Sequence, residues 1–178
     1  VAVSGDLKRV SRPELMAVIT ASLSGGFLWI DLDSIREPLE ALPWVHRAVV
    51  RRRWPDSIEV EVIEQTAIAR WGDTGLLNHT GDVFVPDAAP GMDDLARLSG
   101  PVGSHHDLML EYRRIQAQLQ DQGMRVAALH MNARGGLQAE LSDGVKLVFG
   151  QGELDRKLAR LRAVLAATAG TGRGRPQQ

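Results

Sequence analysis

The chain has 178 residues, 44% of them apolar, and its 21 basic side chains nearly balance its 22 acidic ones, for a formal net charge of −1. This length and apolar content are enough for one large domain or two small ones with hydrophobic cores. The near-zero charge argues against nucleic acid as a partner, because neutralising phosphates normally needs a surplus of basic residues, and the absence of cysteine excludes disulfides and thiolate chemistry.

The first segment contains a short strand, a turn and a helix. Residues 1–3 favour the strand, residues 4–6 the turn, and residues 11–23 a helix with Ser11 as its N-cap and Glu14 three residues later. Its apolar residues fall on one face that requires a core: Leu15, Val18, Ile19 and Leu23. The chain begins abruptly within the strand and lacks a signal peptide, which is typical of an excised ectodomain.

A second helix is predicted after an apolar connection at residues 27–30. Asp31 or Asp33 is suited to cap this helix, which extends to about Leu42. It ends there because Pro43 disfavours the helical conformation in the residue before it. Three apolar residues are in phase on one face: Ile35, Leu39 and Leu42.

Residues 45–53 and 58–64 alternate in the pattern of two half-buried strands, with Trp54-Pro55-Asp56-Ser57 as a turn between them. Matching the faces of the two strands predicts a hairpin and its register. The predicted pairs are Val50 with Val62, Arg52 with Val60, Trp54 with Ile58, Arg53 with Glu59, and Arg51 with Glu61. On this register a row of glutamates faces the arginines.

This stretch also resembles a known family. Its motifs follow one another in this order: Pro43-Trp44-Val45, a basic strand, Trp54-Pro55-Asp56, a strand that ends in glutamate, and Ala67-Ile68-Ala69-Arg70-Trp71. This order is similar to the periplasmic region of the FtsQ family of bacterial cell-division proteins. The similarity keeps the family's spacing from about Val3 to about Leu165, which is most of the chain.

Two amphipathic helices and three strands close a core only if both helices cover one face of the sheet, the arrangement called POTRA (β-α-α-β-β). The opposite face would then be open to solvent, and its residues are Val49, Arg51, Arg53, Glu59, Glu61 and Ile63. An open face or edge of this kind can accept an extended peptide as an added strand. A solvated charged face without a partner is the alternative, because surface ion pairs contribute little.

After Gln65 the pattern changes to short strands with frequent turns, typical of an antiparallel meander. The predicted elements are strands at 67–71, 76–78 and 83–85, a helix at 106–122, strands at 126–131, 137–141 and 145–149, and a helix at 153–167. Leu95 to Pro101 resembles a short connector of the family. The fold class is therefore α+β, with a POTRA domain at 1–65 and a second α+β domain at 66–169 that has a mostly antiparallel sheet and two helices.

Residues 170–178 contain no apolar side chain and are expected to form a disordered tail. Members of the family continue past the last helix into a strand that adds to the sheet and carries much of the surface for the partners FtsB and FtsL. No such strand can be identified in this sequence, so either the chain ends early or the tail replaces the strand.

No pattern predicts a catalytic residue, a cofactor site or a metal site. The five histidines lie on unrelated predicted elements, and the adjacent pair His105-His106 has Glu111 out of phase with the spacing of two ligands on one helix face. Gly150-Gln151-Gly152 lacks the third glycine of a dinucleotide-binding turn. Glu59, Glu61 and Glu64 are interpreted as partners of Arg51 and Arg53 rather than as acid-base groups.

The resemblance implies one further binding position. Arg134, in the turn at residues 133–136, stands where the family has a basic residue beside its partner-binding surface. With Arg156 and Arg160 it would form a positive rim for an acidic segment of a partner helix. A solvated loop arginine is the alternative.

The function implied by the resemblance is a non-enzymatic scaffold of the bacterial divisome that recruits FtsB and FtsL at the septum and links early and late division proteins. The family carries an upstream transmembrane helix in the inner membrane, with this region in the periplasm. The alternative is a POTRA-containing component of outer-membrane protein assembly or secretion, which binds client polypeptides by β-augmentation. Proteins of that kind usually carry tandem POTRA repeats, whereas this sequence shows one.

Overall fold

The computed structural model of the chain describes residues 1–23, 31–121, 123–150, 152, 154, 156–160 and 163. They form two compact units, one of residues 1–66 with 84–89 and one of residues 67–83 with the described residues from 90 onward. The predicted connection at 27–30 and the predicted tail at 170–178 lie outside the described residues.

The elements in chain order are β1 (Ala2–Ser4), α1 (Arg12–Ser22), α2 (Asp33–Glu40), β2 (Val45–Arg53), β3 (Ser57–Glu64), β4 (Ala69–Trp71), β5 (Gly75–Leu77), β6 (Val83–Phe84), β7 (Ala96–Ser99), α3 (His105–Gln120), β8 (Val126–Met131), β9 (Leu137–Leu141) and β10 (Lys146–Phe149). Residues 154, 156–160 and 163 are also helical. We call this segment the last helix. The α+β fold class predicted from the sequence is confirmed.

The first unit is a small sheet covered on one face by two helices. Among the described residues its strand order is β1-β3-β2, with β1 parallel and β2 antiparallel to β3. The apolar stripes of both helices enter the core as predicted, because Leu15, Ile19, Ile35 and Leu39 are fully buried. The predicted β-α-α-β-β arrangement is confirmed.

The starts of the two helices differ. Ser11 caps α1 as predicted, since its Oγ accepts the N–H of Glu14 at 3.3 Å. The predicted cap of α2 is wrong: the N-cap is Leu32, without a side-chain hydrogen bond. The Asp31 carboxylate accepts the N–H of Asp33, the first residue of the helix, at 3.0 Å, so it binds one amide of the first turn from the position before the N-cap.

The hairpin of β2 and β3 forms, but its predicted register is wrong. The observed pairs are Ala48 with Val62, Val49 with Glu61, Val50 with Val60, Arg51 with Glu59, Arg52 with Ile58 and Arg53 with Ser57. The inward and outward faces are as predicted, because side chains alternate with a period of two and a slip of two residues in the pairing leaves both faces unchanged. The turn decides between such registers. Ser57, which was predicted as the last residue of the turn, already belongs to β3 and pairs with Arg53.

Gly5 allows the chain to leave β1 close to the sheet. Its φ angle is +144°, and a Cβ atom at this position would lie 2.4 Å from the carbonyl oxygen of Val62. Any side chain would therefore collide with the backbone of β3, so the turn after β1 requires glycine.

The second unit contains a mixed sheet with the order β10-β9-β8-β7-β4-β5-β6 among the described residues. The pairs β4–β5, β8–β9 and β9–β10 are antiparallel, whereas β7 is parallel to both β4 and β8. The interpretation of Leu95 to Pro101 as a connector is wrong, because residues 96–99 form β7 between β4 and β8. Four residues are too few to show an alternating pattern, and their pairing partners are distant in sequence.

Two helical segments contribute to the core of the second unit. Leu108, Ile115 and Leu119 on α3 are buried, and Tyr112 packs against them half-buried, as the predicted stripe requires. Leu154 and Leu158 on the last helix are also buried, while Leu161 and Leu165 of the same predicted stripe lie outside the described side chains. The helix faces in this unit are therefore set by the same 3.6-residue period as in the first.

Candidate protein-binding surfaces

The exposed face of the first unit's sheet, which we call the wet face, carries residues predicted from the sequence. Val49 lies opposite Glu61, Arg51 opposite Glu59, and Ile63 is 44% exposed. β1 extends the sheet on the far side of β3, since Ala2 pairs with Glu59. The predicted members of the wet face are thus brought together on a surface three strands wide.

The predicted ladder of ion pairs on the wet face forms only in part. Arg53 approaches Glu59 diagonally, with 3.9 Å between Nη1 and Oε1 and both side chains largely exposed. Arg51 lies beside Glu59 but forms no ion pair within the described part of the chain, and the predicted pair with Glu61 is absent there because of the shifted register. A pair this exposed contributes well under about 1 kcal/mol, so the guanidinium groups face solvent at little cost.

Glu64 has a different role from the one predicted, because it binds backbone rather than arginine. Its carboxylate accepts the N–H groups of Lys8 at 3.0 Å, Arg9 at 2.9 Å and Val10 at 2.7 Å. Three consecutive amides that converge on one charged acceptor hold the segment before α1 against the end of β3. The sequence signal for this contact is weak, since the partners are backbone atoms more than fifty residues away.

Arg134 lies in the turn between β8 and β9, with its side chain exposed. Asn132 shapes this turn: its Oδ1 accepts the N–H of Arg134 at 2.9 Å and that of Gly136 at 2.9 Å. The guanidinium therefore projects from a turn that has a fixed backbone, as a recognition residue at the rim of an interface would.

Arg156 and Arg160 are exposed on the last helix. The helix is tied to the sheet by Lys157, whose Nζ donates to the carbonyl oxygen of Val148 at 3.0 Å, and by the buried Leu154 and Leu158. The single continuous positive rim of Arg134, Arg156 and Arg160 stays a prediction.

A groove of about 300 Å³ brings the turn of Arg134 and the last helix to one place. Its lining residues are Asp107, Leu110, Glu111, Arg114, Met131, Gly135, Leu137, Gly150, Gly152 and Leu154. Leu110 is 58% exposed, although it is a large apolar residue. Sequence reasoning missed this groove; the available signal was Leu110 itself, which lies outside the apolar stripe of α3.

The start of α3 is fixed by a loop of residues 78–82. His105 Nδ1 lies 2.9 Å from the carbonyl oxygen of Gly81, and His106 Nδ1 lies 3.1 Å from that of Thr80. The loop itself is closed around Asn78, which is fully buried. The histidine pair that lacks metal-ligand spacing in the sequence thus has a structural role, and it positions the helix that lines the groove.

A second groove, of about 560 Å³, lies beside Tyr112 and Arg125. Burial raises the pKa of the Tyr112 hydroxyl, and the charge of Arg125 lowers it by a smaller amount. Gln116 closes one side of this groove, since its Oε1 accepts the N–H of Val126 at 2.9 Å and its Nε2 donates to Met124. The charged residues in its described lining are Asp94 and Arg125.

Tyr112 is the only tyrosine of the chain, so the ultraviolet absorbance of its phenolate reports this group alone. We expect its titration midpoint to lie above the ordinary value of about 10, because burial favours the neutral phenol. The folded state therefore holds this proton more tightly, and the stability it contributes is present below about pH 10 and is lost as the pH rises further. Arg125→Gln should raise the midpoint further, and a midpoint at the ordinary value would contradict the burial of the hydroxyl.

Within the residues that the structure describes, no group of three or more potential metal ligands is close enough to hold an ion. In the same residues, no helix has both the length and the apolar character that crossing a membrane requires.

Two family models match the chain in succession. The model described as POTRA domain, FtsQ-type, matches residues 1–65, and the model described as cell division protein FtsQ/DivIB, C-terminal, matches residues 69–175. Together they cover the described residues of both compact units almost completely.

Three curated relatives, each named cell division protein FtsQ, are similar to most of the chain. The protein of Xanthomonas campestris is 37% identical over 92% of this chain and 59% of its own length. The protein of Methylomonas methanica is 30% identical over 85% of this chain and 61% of its own length. The protein of Allochromatium vinosum is 32% identical over 96% of this chain and 69% of its own length. The chain thus spans about three fifths of the length of the first two.

Proposed function

This chain belongs to the FtsQ/DivIB family of bacterial cell-division proteins, and from that membership we propose that it is the periplasmic region of a non-enzymatic scaffold of the divisome. In this role it recruits FtsB and FtsL and links early and late division proteins at the septum. A transmembrane helix upstream of this sequence would anchor the protein in the inner membrane. The observation that carries the proposal is the ordered succession of the two family matches, over residues 1–65 and 69–175.

We also propose the domain boundaries. Residues 1–65 form the POTRA domain and residues 66–169 the second domain, while the tail predicted at residues 170–178 lies outside the described residues. Two separate hydrophobic clusters support the first boundary, because the apolar residues up to Val62 pack together and those from Ala69 onward form a second core.

The second domain is proposed to bind its partners beside the groove and Arg134. An exposed apolar residue within a charged surround, as Leu110 is among Asp107, Glu111 and Arg114, is the composition of an interface centre with a polar rim. Arg134, Arg156 and Arg160 would add positive charge at that rim and attract an acidic segment of a partner helix. The wet-face residues Val49, Arg51 and Ile63 are proposed as a second protein-binding surface, on the POTRA domain.

Charge reversal at Arg134 is expected to weaken the binding of FtsB about tenfold, which corresponds to about 1.4 kcal/mol. The reason is that a glutamate would repel the acidic segment that the arginine attracts, while the turn, which is built by Asn132 and backbone amides, stays intact. The measurement is a titration of the labelled periplasmic segment of FtsB with native protein and with Arg134→Glu.

Arg97→Glu is the matched control for that titration, because Arg97 is also exposed in the second unit but lies on β7. It should leave the affinity within about twofold. An unchanged affinity in Arg134→Glu would remove Arg134 from the surface. Binding of FtsB by a chain without residues 150–178 would exclude the last helix, with Arg156 and Arg160, from the contact.

A second candidate function keeps the POTRA domain but has it bind client polypeptides for outer-membrane protein assembly or secretion. The observation in its favour is β2, which has β3 as its single strand neighbour among the described residues. The two candidates predict different preferences: a scaffold binds FtsB in preference to an unfolded outer-membrane protein, and a client-binding protein shows the reverse order.

A further inference from the structure

The second groove lies where β7 and β8 begin, because its lining includes residues 94–96 and 123–127 together with part of α3. Its volume of about 560 Å³ falls within the range of sites that bind ligands. The groove shares no described lining residue with the one beside Arg134, and no binding residue predicted from the sequence is in its described lining. A ligand in the second groove would therefore be recognised by a separate set of side chains.

Part of this lining is apolar and reachable from solvent. Ile68, Leu95 and Met124 are partly buried, and they lie beside the buried Ala96 and Val126. An apolar side chain of a ligand would remove the remaining surface of these residues from water, which favours binding.

Two polar groups in the same lining have bonding capacity left over. Tyr112 is half-buried, and its hydroxyl forms no hydrogen bond within the described residues. Burial raises the pKa of this hydroxyl, so at neutral pH the phenol keeps its proton and can donate it in a hydrogen bond. Arg125 is exposed and forms no ion pair in the described part of the chain, and its charge acts on Tyr112. A phenol donor beside a guanidinium is suited to bind a carboxylate.

These two groups flank the side of the groove that Gln116 closes. Gln116 follows Tyr112 by one helical turn, and its Oε1 accepts the N–H of Val126, the residue directly after Arg125. An extended segment that enters from solvent meets this closed side and cannot continue through it. The group that reaches Tyr112 and Arg125 would therefore be the end of the segment, which carries a carboxylate when it is a C-terminus.

Asp94 is the second charged residue of the lining. Arg97 pairs with Ala128 in the parallel strands β7 and β8, and continuing this register backward brings Asp94 to the level of Arg125. Its negative charge opposes the binding of a carboxylate at Arg125. Removal of this charge is therefore a sensitive test of the charge of the ligand.

We propose that the second groove binds the C-terminal end of another polypeptide, with the terminal carboxylate held by Arg125 and the hydroxyl of Tyr112 and an apolar last side chain packed against Ile68, Leu95 and Met124. The site goes beyond the proposed function, because it is separate from the groove and the arginines assigned to FtsB.

The test compares two acetylated tripeptides of two alanines and a last leucine, one with a free C-terminal carboxylate and one with a C-terminal amide. Titrations of the whole chain are followed by NMR at the amides of Gly123 and Val126. The carboxylate peptide should bind about tenfold more tightly, because only it offers Arg125 a charged acceptor. It should also raise the titration midpoint of Tyr112, since a carboxylate that accepts the phenol proton favours the neutral form.

Four variants separate the contributions. Arg125→Gln should weaken binding of the carboxylate peptide about tenfold and leave the amide peptide unchanged. Tyr112→Phe keeps the packed ring and should weaken the carboxylate peptide about fivefold, the effect of one hydrogen bond. Asp94→Asn should strengthen it about threefold, because a repulsive charge is removed. The matched control is Arg97→Gln, an exposed arginine on β7 outside the described lining, which should change neither peptide.

Three outcomes would overturn the proposal. The first is equal binding of the two tripeptides, or binding of neither. The second is equally tight binding of an amidated peptide with an internal glutamate, since the groove would then recognise any carboxylate rather than a chain end. The third is a carboxylate peptide whose affinity is the same in Arg125→Gln and Arg97→Gln. The FtsB titration with Arg134→Glu is independent of these results, so the proposed function can stand or fail without them.

Discussion

Replacement of Glu64 by alanine is expected to lower the free energy of unfolding of the first unit by about 3 kcal/mol, because three backbone N–H groups lose a charged acceptor together. Val10, the last of the three, is buried, so its amide cannot be fully compensated by water. The measurement is native-state hydrogen exchange at the amide of Val60, which lies in the fully buried centre of β3.

Glu61→Ala is the matched control, because Glu61 lies on the same strand with its side chain exposed on the wet face. We expect a change of less than about 0.5 kcal/mol for this substitution. Glu64→Gln should lie between the two, since an amide oxygen still accepts hydrogen bonds but without the negative charge. Equal effects of Glu64→Ala and Glu61→Ala would contradict the role of Glu64 as an anchor of residues 8–10.

Asn78→Ala is expected to destabilise the second unit by about 3 kcal/mol. Asn78 is fully buried, its Oδ1 accepts the N–H of Thr80 at 3.0 Å and that of Asp82 at 2.9 Å, and its Nδ2 donates to Asp82 at 3.2 Å. Alanine would take this acceptor away from two part-buried N–H groups and leave a space at a fully buried position, and together these cost more than the loss of an exposed hydrogen bond. Urea unfolding followed by circular dichroism measures the change.

The chain supplies a matched control at Asn132, whose Oδ1 accepts two backbone N–H groups in a turn of similar construction but is exposed. Asn132→Ala should cost less than about 1 kcal/mol, because water replaces the lost acceptor. Similar losses at the two positions would show that burial does not decide the effect. Because the loop of Asn78 holds His105 and His106 at the start of α3, Asn78→Ala should also weaken binding at the groove.

Local patterns were sufficient for the helices and for the faces of the long strands. The stripe Leu108, Ile115 and Leu119 and the alternation in β2 and β3 each depend on residues close in sequence, and both are confirmed. β7 shows where such patterns fail. Its four residues are a strand only because β4 and β8 lie on either side of it, and both partners are about 25 residues or more away.

The candidate surfaces were partly predictable for the same reason. Val49, Arg51 and Ile63 share a face because of their spacing along two strands, so alternation alone placed them. The groove is different, since Leu110, Gly135 and Leu154 come from three elements that only folding brings together. The predicted pairing of Arg51 with Glu61 was wrong because alternation leaves the register undetermined by steps of two residues.

The sequence by itself determined the family, through motifs spread over most of the chain. It also determined the α+β class, the helical stripes and the exposed face of the first sheet, because each of these is carried by side chains a few residues apart. Only the tertiary structure decided the register of the hairpin, the central position of β7 and the role of Glu64 at residues 8–10. The reason is physical: in these cases one partner is a backbone group, which every residue possesses, so the sequence contains no sign of which one is used.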